Sequence, residues 1–98
     1  MDKEKTLCRS PRPGATGKHI EQRKFNLVRK AILRVVPRRR NGVPFGELAP
    51  LVKKQLTRAE LEGLGSVPWY TTTVKLELEV RGEIRRVPGV MPQRLIRT

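Results

Sequence analysis

The 98 residues carry 22 Lys and Arg against nine Asp and Glu, a net charge of +13 with a pI near 11.3. One cysteine and one histidine exclude an intrachain disulfide and a closed zinc site, and no apolar run approaches the roughly 18 residues that a membrane-spanning helix needs. The charge is also uneven: residues 1–18 carry +3, 19–42 carry +7, 43–80 carry −1 and 81–98 carry +4. Basic flanks around a nearly neutral middle point to a polyanionic partner, of which nucleic acid is the usual one.

Such a length permits one domain with a small core built mainly from aliphatic residues, since the aromatics are only Phe25, Phe45, Trp69 and Tyr70. Residues 1–17 hold two prolines, two glycines, scattered charge and little to bury, so they are expected to be a disordered basic tail ahead of a domain over 18–98. No apolar segment followed by a small-residue cleavage site is present near the N-terminus, so a cytoplasmic protein is expected.

The first strong period is helical. Phe25, Val28, Ala31, Ile32 and Val35 recur three and four apart, predicting a helix over about 19–36 that Pro37 ends. Asn41-Gly42 marks a turn, and Val43-Pro44-Phe45 reads as at most an edge strand, because Pro44 cannot donate to a ladder. Leu48, Leu51, Val52 and Leu56 predict a second helix over about 46–56. Thr57 with Glu60 three residues on fits a capping box and a short helical turn over 58–64.

Ser66-Val67-Pro68 reads as the start of a third main helix, with serine as cap and proline in the first turn, and Gly82 sits where a left-handed terminator belongs. The period then changes. Residues 84–87 and 94–97 read as two strands around a turn at Pro88-Gly89, a basic hairpin appended to a helix. The fold class expected is therefore mainly α with a small β-hairpin (α+β): a winged helix-turn-helix of three helices plus a C-terminal wing.

The stretch from Leu78 through Arg81-Gly82, Ile84-Arg85 and Val87-Pro88-Gly89 resembles the join between recognition helix and wing in MarR-type repressors. More closely, residues 69–76, followed by Arg81-Gly82, Val87-Pro88-Gly89 and Pro92-Gln93-Arg94-Leu95, resemble a small family of uncharacterised bacterial winged-helix proteins. The resemblance covers about residues 18–97. It implies that the third helix is the recognition helix, its first turns facing the major groove, with the wing against the neighbouring backbone or minor groove. It implies no activity.

Candidate contacts follow from both readings. Tyr70, Thr71 and Thr72 bring hydroxyls to a helix start, where free amides favour phosphate, and Lys75 is the basic residue in the helix interior. Arg85, Arg86, Arg94 and Arg97 lie on the hairpin, where alternation lets about half of them face one ligand. Arg38, Arg39 and Arg40 form the densest basic run. Glu77 and Glu79 would repel phosphate and suit pairs with Arg81 or Lys75 instead. Trp69 is expected in the core; an exposed indole in an apolar surround would mark a docking surface.

No nucleophile–base pair, phosphate-cradling glycine loop or supported carboxylate pair is visible, so neither an enzyme nor a cofactor is expected. The function expected is binding of double-stranded DNA through phosphates, with transcriptional regulation an extension by fold analogy. Neutralising about six to eight phosphates would give a log–log salt slope of about −5 to −7. The alternatives are a protein-interaction winged-helix module and a binder of structured RNA. Leu27 and Leu33, off the main stripe of the first helix, are the only hint of a homodimer.

Overall fold

The computed structural model describes residues 4–38 and 41–98. It opens on a hairpin: β1 (Lys5–Cys8) pairs antiparallel with β2 (Lys18–Glu21), with Cys8 opposite Lys18 and Thr6 opposite Ile20. The expectation of a disordered tail over 1–17 therefore fails for Lys5–Cys8. Cys8 and Ile20 are both about 4 % exposed, and burying one isoleucine side chain stabilises by roughly 2 kcal/mol. That burial, the ladder and a polar anchor described below hold the arm against the rest of the domain.

The chain passes from β2 directly into α1 (Gln22–Val35), which buries Phe25, Val28, Ala31 and Ile32 of the predicted stripe and half-buries its fifth member, Val35. Its start falls later than the period alone suggests, because residues 18–21 are committed to the arm hairpin. Pro37 follows the C-cap residue Val36. The two-residue strand β3 (Val43–Pro44) leads into α2 (Phe45–Lys54), which buries Leu48 and Val52 and carries Pro50 inside it.

α3 (Arg58–Leu64) begins at the expected capping box: Thr57 Oγ1 accepts from the Glu60 amide at 3.1 Å, and Glu60 Oε1 accepts from the Thr57 amide at 2.7 Å. α4 (Val67–Arg81) is capped by Ser66, whose Oγ accepts from the Trp69 amide at 3.2 Å, and is closed by Gly82 at φ 77°. The chain ends in β4 (Ile84–Arg86) and β5 (Arg94–Arg97).

β5 lies between β3 and β4, antiparallel to both, giving a second small sheet of order β3-β5-β4. As expected, β3 is an edge strand, with Pro44 opposite Arg94. The core gathers Phe25, Val28 and Ile32 of α1, Leu48 and Val52 of α2, Leu64 of α3, Val74 and Leu78 of α4, Ile84 and Leu95. The architecture is α+β, with four helices and two small antiparallel sheets among the described residues. α4 packs against α1, α2, β4 and β1, so it is enclosed on most sides rather than presented on one.

Candidate nucleic-acid interface

Acids and cations of the two ends of the chain meet on α4. Glu77, 1 % exposed, accepts from the Arg9 amide at 2.8 Å, from Arg9 Nε at 3.0 Å and Nη2 at 2.7 Å, and from Arg81 Nε at 2.8 Å. Burial alone would push this carboxyl up; the hydrogen bonds from Arg9, then Arg81, outweigh it and hold it down at about 2. This anchor fastens the arm to α4. The neighbouring Cys8 thiol is pushed up to about 11, by burial first and Glu77 second, so it is a packed side chain and not a reactive thiolate.

One turn along, Lys75 Nζ lies 2.9 Å from Glu79 Oε2 and 4.7 Å from the centroid of the Phe45 ring, and Arg86 Nε donates to Glu79 Oε1 at 2.8 Å. Lys75 is 2 % exposed, and burial pushes its ammonium pKa down while Glu79 partly opposes that shift. A side chain so enclosed does not reach a duplex, so the candidacy of Lys75 is corrected: it is a core cation. Thr71 is likewise buried at 1 % and leaves the candidate surface, because it lies on the inward side of α4 with Val74, Lys75 and Leu78.

The other expected contacts divide. Thr72 is exposed; Tyr70 is half-buried, its hydroxyl accepting from Lys24 Nζ at 3.4 Å. Trp69 is 42 % exposed, stacked edge-on against Tyr70 with centroids 4.8 Å apart, which corrects its assignment to the core. Arg86 is tied to Glu79, whereas Arg85 is exposed and free of any acid among the described residues. Arg38 is exposed; Arg39 and Arg40 lie outside the described residues.

Arg94 and Arg97 behave differently again. The Arg94 guanidinium donates to the carbonyls of Asn41 and Gly42, and Arg97 Nη1 donates to the Leu33 carbonyl at 2.9 Å. The Arg97 amide donates to the Pro37 carbonyl at 2.9 Å, and the Phe45 amide to that of Gln93 at 2.8 Å. β5 is thus laid along the end of α1 and the turn that follows it. Each guanidinium spends one or two of its five N–H groups on these contacts and keeps its charge.

These contacts join two stretches that share one property: residues 22–46 and residues 84–98 contain no Asp or Glu at all. Lys30, Arg34 and Arg38 are exposed along and just beyond α1, and Arg94 and Arg97 of β5 donate to carbonyls at the end of α1 and after it. No acid forms an ion pair with any of these five among the described residues. Meanwhile Glu77, Glu79 and Glu83 take up Arg9, Arg81, Lys75, Arg86 and Arg29. The cations are therefore not spread evenly. The sequence signal for this face, two acid-free runs, was present; the pairing of α1 with β5 was not readable from it.

Among the described residues, no group of three or more His, Cys, Asp or Glu side chains is placed to hold a metal ion, and no helix is long and apolar enough to cross a membrane. A family model described as a family of unknown function (DUF6958) matches residues 5–95. No curated protein and no solved structure matches the chain.

Proposed function

The chain belongs to that family of unknown function, and from its own geometry we propose that it binds double-stranded DNA through the phosphate backbone, using α1 and β5 rather than the interior of α4. The observation that carries this reading is a set of five exposed or half-exposed cations on and beside two adjoining elements, with no carboxylate paired to any of them among the described residues. Lys and Arg that neutralise phosphates release counterions, which supplies most of the affinity of non-specific DNA binding.

The reading includes a winged helix-turn-helix architecture. α1, β3, α2, α4 and the β4–β5 ribbon follow the order of that fold, with β5 between β3 and β4, and α3 is then an additional short helix ahead of the recognition-helix position. Kinship with MarR-type regulators and a role in transcription extend it by analogy. The departure lies in α4, whose charges are turned inward onto the arm and wing. α4 is then left without base readout, and phosphate contacts from α1 and β5 dominate.

Binding of duplex DNA, single strands and structured RNA across a salt series tests this. About five phosphates contacted predict a slope of log affinity against log salt of about −4 to −5 for duplex DNA. A slope near zero, or no binding at low salt, overturns the proposal, and preference for structured RNA reassigns the polyanion. A second reading, docking of a protein on Trp69, is favoured by its 42 % exposure beside Pro68 and the half-buried Val67. Unchanged tryptophan emission on DNA binding, with loss of binding in Arg34→Ala/Arg38→Ala, separates the DNA face from that surface.

A further inference from the structure

The arm, α4 and β4 border an open cleft of about 710 Å³ that is not part of the α1–β5 face. Its volume falls within the range of small-molecule sites. Leu76 of α4 and Pro11 of the arm give it apolar walls over the fully buried Ile84, and the arm also contributes Ser10 and Arg12. Three guanidiniums, of Arg12, Arg85 and Arg86, border it against one carboxylate, that of Glu79.

Those cations are not equivalent. Arg86 is held by Glu79, whose second oxygen is 2.9 Å from Lys75 Nζ, so this carboxylate is already committed. The other arginines of the arm, α4 and the hairpin have an acceptor in place: Arg9 and Arg81 on Glu77, Arg94 and Arg97 on backbone carbonyls. Arg12 and Arg85 have none among the described residues, and both are exposed on the same cleft, one on the arm and one on β4. Ser10 Oγ accepts from the Arg12 amide at 3.2 Å, which leaves its O–H free to donate outward.

We propose that this cleft binds a phosphate monoester carried on a flat, largely apolar ring, the chemistry of a mononucleotide. The phosphate bridges Arg12 and Arg85 and accepts from Ser10, and the ring lies on Leu76 and Pro11. The lining carries two more positive than negative groups, which matches the charge of about −1.5 to −2 on a monoester at neutral pH better than the single charge of a backbone diester. Two sources supply this chemistry: a free nucleotide, and the 5′-phosphorylated end of a DNA strand. Occupancy would tie arm to hairpin across α4.

The test is a titration of the full chain, followed by backbone amide NMR, with adenosine 5′-monophosphate, adenosine and inorganic phosphate. Arg12→Ala and Arg85→Ala both alter exposed residues, and thermal unfolding checks that they fold. The monophosphate is expected to shift the amides of Leu76, Ile84 and Arg85, to bind about tenfold or more tighter than either fragment, and to weaken about fivefold or more in each variant. Adenosine binding as tightly as its monophosphate overturns the proposal. So do shifts confined to α1 and β5, or variants that bind like the parent. A short oligonucleotide with and without a 5′-phosphate then names the source: a phosphate-dependent gain beyond the free nucleotide assigns the strand end, and its absence assigns the nucleotide. Loss of duplex binding in a salt series leaves these outcomes untouched, so the two proposals fail separately.

Discussion

Glu77 shows how much of this molecule rests on one carboxylate. With its pKa lowered from 4.5 to about 2, linkage allows at most about 3 kcal/mol of stabilisation. Arg9 is 53 % exposed, so water screens part of the attraction, and Glu77→Gln is expected to cost about 1–2 kcal/mol in urea unfolding at neutral pH. The folded pKa lies below the unfolded one. The contribution is therefore complete above about pH 5 and lost as pH falls from there towards 2. The parent should lose stability between about pH 5 and 2 more steeply than Glu77→Gln; parallel pH curves would remove the anchor's role. The pairs of Glu77 with Arg81 and of Glu79 with Lys75 were legible, being four apart on one helix. Arg9 was not, because 68 residues separate it from its partner and no local pattern records such a contact. Lys75 was misread for a related reason: a lone lysine between apolar residues looks solvated until the wall that covers it, Phe45, is known. Lys75→Met leaves Glu79 paired only to Arg86 and is expected to destabilise by about 1–3 kcal/mol while changing duplex affinity less than about twofold. A large affinity loss in a folded Lys75→Met would return this residue to the interface.

At the scale of elements, ends were read better than faces. Thr57, Ser66 and Gly82 each terminate a helix where their capping chemistry required, and the C-terminal hairpin lies where the period changed from helical to alternating. The arm hairpin escaped notice because each strand has four residues and together they bury only Cys8 and Ile20, below what a periodicity argument can detect. The alignment of β5 with the end of α1 has a single steric gate. Gly42 adopts φ 61°, and a β-carbon there would collide with the Leu95 carbonyl oxygen and the Ile96 side chain. Gly42→Ala thus combines left-handed strain with a backbone clash, and is expected to cost about 2–4 kcal/mol. Because the same turn holds Arg94, the variant should also weaken duplex binding under conditions where it remains folded. Calorimetry and a binding titration at low temperature check both. Weakened stability with unaltered binding would mean that the turn does not shape the contact face.

At the scale of the whole molecule, the question is whether affinity follows total charge or its placement. A net charge of +13 attracts any polyanion, yet six of the nine acids lie on α2, α3, α4 and the turn after it, where Glu77, Glu79 and Glu83 neutralise nearby arginines. What remains coherent is the strip from Lys30 and Arg34 to Arg94 and Arg97. Two double charge reversals separate the possibilities, since each lowers the net charge by the same four units. Lys30→Glu/Arg34→Glu falls on the strip; Lys53→Glu/Lys54→Glu falls at the end of α2, beside the turn into α4. All four side chains are exposed, so neither pair should unfold the protein. At about 0.1 M salt, charges more than roughly 10 Å from the duplex are largely screened. The α1 pair is therefore expected to weaken duplex binding by about tenfold or more and to flatten the salt slope by about two units, while the α2 pair changes affinity less than about threefold. Equal losses from the two pairs would show that bulk charge alone drives association, and the α1–β5 face would then have no privileged role.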